Sequence, residues 1–296
     1  MAALDWPYEG AQPPLEGVAR FVHAGSNICL DFHGDPCSAQ LVAFSDGNHH
    51  MALAAALCAF RDAHPQAGGV FYATTPPRVI VEALKAGGVR LGNLTIVVKP
   101  HVFISPRPVL ERLAAEGYVR SHRPFARSLG VALLVSKGNP KAIRGVADLA
   151  RAGVRVFLSN PVTEAVSYLA YAETLRKVAA REGVALDFLD PDSRPARVVC
   201  GELIHHREAP QCVADGAVDV AVVFHHLALR YVRIFPDRFE TVPLGLGAGA
   251  DPEHVASAIH AGLVGDGGEW GARLMDFLTG PVAARIYESH GLAALP

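Results

Sequence analysis

The apolar positions of this chain fall into short runs that stop at small polar residues, and each run is followed by a stretch with helical spacing. Leu41–Phe44 is one such run. It stops at Ser45-Asp46-Gly47-Asn48, and a helical pattern then extends from His49 to about Ala63. The same pattern predicts strands over 41–45, 69–74, 94–98, 130–136, 154–158, 218–224 and 240–243. It predicts helices over 49–63, 77–87, 107–117, 145–151, 162–182, 207–216, 225–232, 252–264, 269–279 and 281–289. Alternation of this kind argues for an α/β fold with largely parallel sheets. Residues 1 to about 18 read as an irregular arm, and Val18–Phe32 as a strand or hairpin.

Two breaks interrupt the alternation, near 120–130 and near 235–247. They divide the chain into an arm with extra strands over 1–40, one lobe formed by 41–125 plus 239–296, and a second lobe over 126–238. Two crossings between two α/β lobes would make a hinge with a cleft between them.

Composition narrows the function classes. With 296 residues, half of them hydrophobic and 19% charged, the chain can bury one large core or two smaller ones and is not of disordered type. A net charge of −2 with scattered Arg and Lys speaks against a nucleic-acid surface. No apolar run approaches the length of a membrane span. The first twenty residues hold Asp5, Glu9, Glu16 and three prolines in place of an apolar leader. The five cysteines, Cys29, Cys37, Cys58, Cys200 and Cys212, form no CxxC and read as reduced thiols. These features point to the cytoplasm, or to the periplasm for a chain whose leader has been removed.

The candidate chemistry sits where predicted strands end and helices begin. Such turns collect ligands in open α/β sheets, and a helix N-terminus favours an anion. Ser45, Gly47 and Asn48 occupy the first turn, Thr74 and Thr75 the second, Ser159 and Asn160 a third. Each hydroxyl or amide among them could equally serve as a helix cap or turn former. Asp46 opposes a bare anion unless its carboxylate caps the helix or turns away, and Glu164 could complete a capping box.

Fourteen histidines include three adjacent pairs, His49-His50, His205-His206 and His225-His226, all beside predicted strand-to-helix turns. His49 or His50 together with His205 or His206 could hold a transition metal across a cleft, although no spacing is a standard zinc pattern. Arg207 could grip an anion bidentately, or pair with Glu202 or Glu208 at the surface. Cys200 and Cys212 flank that segment and could join a thiolate-imidazole site, or be buried small hydrophobes. No GxSxG elbow, P-loop or GxGxxG fingerprint occurs.

Gly130–Ala150, reading Gly-Val-Ala-Leu-Leu-Val-Ser-Lys-Gly-Asn-Pro-Lys-Ala-Ile-Arg-Gly-Val-Ala-Asp-Leu-Ala, resembles a known arrangement. It is similar to the hinge strand, KGNP turn and DLA helix of type II periplasmic binding proteins of the molybdate/tungstate class. Val154–Pro161, Val213–Phe224 and Leu278–Leu292 resemble later elements of that family in the same order. The resemblance covers roughly 41–292. It implies two lobes with a cleft, and an oxyanion held there by hydroxyls and backbone N–H groups. Ser45 would be first among the contacts, with Thr74 or Thr75, Ser159 and Asn160 contributing. The family's usual first-loop Ser-Leu is replaced here by Ser45-Asp46-Gly47-Asn48-His49-His50, which bears on ligand identity.

The expected function is therefore a binding protein for a small, molybdate- or tungstate-like oxyanion, acting as a cytoplasmic sensor or carrier beside an unidentified transporter or enzyme partner. Binding of a transition metal or metal chelate through the His pairs is one alternative. An enzyme on the same fold, with His as acid or base, is the other.

Overall fold

The computed structural model describes residues 4–7, 31–91, 93–190, 195–202 and 205–295. The chain forms two compact units. The terminal unit contains residues 31–127 and Ala258 onward, and the central unit contains Ser128–Ser257 with residues 4–7. The terminal unit begins with β1 (Phe32–His33), β2 (Ala39–Ser45), α1 (His50–Ala63), β3 (Gly69–Thr74) and α2 (Pro77–Ala86). The small ribbon β4 (Val89–Leu91) and β5 (Leu94–Ile96) follows, then β6 (Val102–Pro106), α3 (Arg107–Ala115) and β7 (Val119–Ser128). The central unit comprises β8 (Val131–Ser136), α4 (Val146–Leu149), β9 (Val156–Leu158), α5 (Ala165–Glu182), β10 (Val198–Cys200), α6 (His205–Ala214), β11 (Val220–Phe224), α7 (His225–Ile234) and β12 (Phe239–Pro243). The chain then returns to the terminal unit for β13 (Ala258–Val264), α8 (Gly268–Leu278), α9 (Pro281–Ser289) and β14 (Leu292–Ala294).

The terminal sheet has the order β1-β3-β2-β6-β13-β7-β14. Its β3, β2 and β6 run parallel, while β1, β13 and β7 pair antiparallel. Leu41 and Ala43 pack into a core with residues of α1, α8 and α9, whereas Val42 and Phe44 pack into a second core with residues of α2 and α3. Burial on both faces is why β2 reads as an unbroken apolar run. The central sheet has the order β10-β9-β11-β8-β12, with β10, β9 and β11 parallel and β8 and β12 antiparallel to their neighbours. Its middle strand, Val-Ala-Val-Val-Phe over 220–224, is buried throughout. Gly87 and Gly183 close α2 and α5 in the left-handed region, at φ +72° and +68°, which a side chain disfavours.

The structure corrects several expectations. The sheets are mixed, not largely parallel. The helix expected over 252–264 is strand β13, because its 258–264 segment is zipped between β6 and β7. The irregular break expected at 120–130 is β7, whose Pro124 lies beside a register shift, where proline's missing donor is tolerated. β6 is a strand where the sequence pattern predicts none. Residues 239–257 belong to the central unit, since β12 pairs with β8, and residues 4–7 join it too. The expected arm and hairpin fall mostly on 8–30, outside the described residues.

Candidate functional site

In the terminal unit the parallel register sets Ser45 opposite both Thr74 and Ile104, so β3, β2 and β6 end nearly level. Each then feeds a helix. β2 leads through the single turn Gly47–His49 into α1, β3 through Thr75-Pro76 into α2, and β6 directly into α3. Proline stands in the first turn of α2 and α3, where no backbone donor is needed. Ser45, Thr74, Thr75 and Ser105 are all fully buried at these ends.

Their hydroxyls are engaged to different degrees. The Ser45 hydroxyl donates to the Asp46 carbonyl at 3.0 Å and lies 3.2 Å from His49 Nε2. His49 Nδ1 lies 2.9 Å from the Tyr287 hydroxyl. One direction satisfies all three contacts: Tyr287 O–H donates to His49 Nδ1, His49 Nε2–H donates to Ser45, and Ser45 donates to the carbonyl. Thr74 Oγ1 lies 3.1 Å from His33 Nε2 and donates to Asp31 at 3.4 Å. Thr75 makes one long bond, 3.5 Å to the Pro76 carbonyl. Among the described residues Ser105 Oγ has no hydrogen-bond partner. Ser105 is not among the residues expected from the sequence, although its Ser-Pro pair at a strand end matches Thr75-Pro76.

Asp46 Oδ1 accepts the Asn48 backbone N–H at 3.1 Å, so the carboxylate caps the turn and takes a donor that an external anion could have used. Burial pushes its carboxyl up to about 7. His49 Nε2 is 3.8 Å from Asp46 Oδ1. Gly47 is buried, and its carbonyl accepts His50 Nδ1–H at 2.7 Å, while Asn48 is half-buried.

The central unit repeats the arrangement. β9, β10 and β11 are parallel, and Ser159, Gly201 and His225 follow their last residues. Ser159 is fully buried, and among the described residues its hydroxyl has no hydrogen-bond partner. Asn160 is a local turn former: Oδ1 accepts from Val162 N and Thr163 N at 2.8 and 3.1 Å, and Nδ2 donates to the Gly201 carbonyl at 2.8 Å. Glu164 Oε1 accepts the His205 backbone N–H at 3.2 Å, at the start of α6. Burial, reinforced by the nearby Glu208 charge, pushes the Glu164 carboxyl up to about 7. His205 Nε2–H donates to the Val222 carbonyl at 3.1 Å, and burial holds the ring down to about 3, so it stays neutral. Arg207 is not a surface residue. It is buried over the Trp6 ring at 4.8 Å, with Arg230 against the same ring at 4.9 Å. His206 is buried, and its carbonyl accepts from the Tyr231 hydroxyl at 2.7 Å.

Among the described residues no group of three His, Cys, Asp or Glu side chains could hold a metal ion. The paired-histidine metal centre expected at His49, His50, His205 and His206 therefore finds no such constellation. Three of these rings are bonded locally, to Tyr287 and Ser45, to Gly47, and to Val222, and the two pairs lie in different units.

A family profile described as bacterial extracellular solute-binding protein matches residues 42–293. The chain belongs to that family. No curated protein matches this solute-binding chain in sequence. Its fold is similar to that of the periplasmic molybdate-binding protein of Azotobacter vinelandii, with a TM-score of 0.60 at 19% identity, covering 86% of this chain and 99% of the other. It is also similar to the sulfate-binding protein SubI of Mycobacterium tuberculosis, with a TM-score of 0.60, 19% identity and 86% of each chain covered. A third similar structure is PEB3 of Campylobacter jejuni with L-phospholactate bound, with a TM-score of 0.59 at 14% identity, covering 86% of this chain and 99% of that one. The resemblance to type II periplasmic binding proteins thus holds at the level of family and α/β fold. No helix among the described residues is long and apolar enough to cross a membrane.

Proposed function

We propose that this solute-binding protein holds a small anionic solute at its strand-end turns. The observation that carries the reading is in the terminal unit. Three parallel strands end nearly level at four buried hydroxyl residues, each leading into a helix N-terminus directly or through a short turn. Helix N-termini supply N–H donors and partial positive charge, and hydroxyls supply donors with no competing charge. Ser105 and Thr75 are the hydroxyls with bonding capacity to spare, and Ser159 is their counterpart in the central unit. Molybdate and tungstate head the ligand candidates, followed by sulfate and phosphate. The role is carriage or sensing of the solute, with delivery to a membrane transporter as the partner function.

Isothermal titration with these four oxyanions tests the reading. At least one should bind. Ser105→Ala and Thr75→Ala should each weaken that binding about ten-fold, the loss of one hydrogen bond to a charged group. Absence of binding by every oxyanion refutes the reading. Cell fractionation separates the roles: an external location fits delivery to a transporter, and a cytoplasmic one fits a carrier or sensor.

A further inference from the structure

Strand β13 divides its side chains between the two cores of the terminal unit. Ile259 and Ala261 pack with residues of α1, α8 and α9, so His260 falls on the opposite face, where Val264 packs with residues of α3. On β7 the register sets His122 opposite Gly262, two residues along β13 from His260. Side chains at such diagonal positions can touch when the residue between them leaves room. Glycine leaves it: a Cβ on Gly262 would come within 3.3 Å of the His122 Cβ. The two rings meet, with Nδ1 of one 3.0 Å from Nδ1 of the other. His260 is 6% exposed, and His122 is half-buried.

A hydrogen bond between two imidazole Nδ1 atoms needs one ring to donate and the other to accept, so both atoms are aimed at one point. We propose that this point takes a divalent transition-metal ion of tetragonal preference, Cu2+ or Ni2+. His122 Nδ1 and His260 Nδ1 are its protein ligands, and water fills the remaining positions. The spacing selects the ion. With metal–nitrogen bonds of about 2.0–2.1 Å, nitrogens 3.0 Å apart subtend roughly 95°, near the right angle of a tetragonal site. Tetrahedral Zn2+ would hold them about 3.3–3.4 Å apart. On binding, the ring that carries Nδ1–H passes that proton through solvent to its own Nε2. Both rings then stay neutral, and no proton is lost overall. The other neighbour of β13 is β6, which sets Ser105 opposite His260, so the ion lies on the β7 side of that ring. Among the described residues the charged groups felt by His260 are Arg107 and Glu111 of α3, which pair with each other at 2.7 Å.

The test is calorimetric titration of the whole protein with CuCl2, NiCl2 and ZnCl2 in a non-coordinating buffer, with electron paramagnetic resonance of the Cu2+ form. A first equivalent of Cu2+ should bind at least about ten-fold more tightly than later ones and than Zn2+, and its spectrum should show a pair of nitrogen ligands. His122→Ala and His260→Ala should each weaken that equivalent about ten-fold or more, and Ni2+ should lose affinity in the same variants. The double variant should bind no more weakly than either single one, because a chelate is lost with its first arm. His64→Ala removes an unrelated ring and should change nothing. Should loss of the buried His260 impair folding, His122→Ala on the half-buried ring still gives the answer. Cu2+ binding unchanged in both single variants, Zn2+ binding as tightly as Cu2+, or no equivalent standing apart from the rest overturns the proposal. None of these results touches the proposed function, which the oxyanion titrations test separately.

Discussion

Replacing Asp46 by Asn should stabilise the protein at alkaline pH, by an amount that disappears in acid. The Asp46 carboxyl is buried, and its value rises from 3.8 to about 7 on folding. That is roughly three units, each worth about 1.4 kcal/mol, or ~4 kcal/mol in all. The sign follows from the two titrations. Below the unfolded value both states hold the proton, and the group contributes nothing. Between about 4 and 7 the unfolded chain loses its proton while the folded chain keeps it, so stability falls as pH rises. Above 7 the full penalty applies. His49, 3.8 Å away, softens it by giving the carboxylate a partial partner. Asparagine keeps an acceptor for the Asn48 N–H and carries no charge to bury. Urea unfolding of wild type and Asp46→Asn at pH 5, 6, 7 and 8 should show the variant gaining steadily, reaching about 2–4 kcal/mol at pH 8. Parallel stability profiles for the two proteins would show that this carboxyl is not shifted and would refute the reasoning.

Three further outcomes follow from single contacts. Asp251 is held well below the usual carboxylate range by a bidentate pair with Arg181 at 2.7 Å, so its contribution is present above about pH 4 and lost as pH falls. Asp251→Asn should cost about 1–2 kcal/mol at pH 7, discounted because the Arg181 side chain is 34% exposed, and progressively less as pH falls from about 4 towards 2, as denaturant titration would show. Gly130 has φ +115°, and an added Cβ would meet His254 Nδ1 at 2.2 Å, so Gly130→Ala should lose at least about 2 kcal/mol, part of it recovered by adding His254→Ala. Tyr287→Phe deletes the hydroxyl on His49 Nδ1 and should cost about 1–2 kcal/mol by thermal unfolding, with an unchanged melting temperature counting against the His49 relay.

The strands that were legible in the sequence are those whose burial is decided locally. Leu41–Ser45 and Val220–Phe224 are short, apolar and bounded by polar turns, and they stand where the pattern put them, within two residues. The 258–264 segment was not legible as a strand. Its Ala, Ile, His and Gly fit helical spacing as well, and only two neighbours distant in sequence, β6 and β7, make it extended. β7 hid behind Arg120, His122, Arg123 and Pro124, because much of its length is exposed and alternation there is weak. At the site, the sequence pointed to the turns but not to which hydroxyls are spoken for. Ser45 and Ser105 look alike in the sequence, and only the fold places His49, itself bonded to Tyr287, against one and leaves the other without a partner among the described residues. For Arg207 the sequence left an anion ligand and a surface ion pair both open, and only the fold shows it buried over Trp6, two hundred positions away.

The chain order has a consequence for synthesis. β13 lies between β6 and β7, yet a whole unit is encoded before it. As the chain leaves the ribosome, Ser128–Ser257 supplies every strand of its own sheet and can close while translation continues. The older portion of the chain cannot. With its last strands still unmade, β6 and β7 present open edges, a template for pairing with other chains. The first part to be translated is therefore the last to be finished. A nascent chain stalled near residue 257 would hold one completed sheet and one that only its missing tail, or a chaperone standing in for it, could protect.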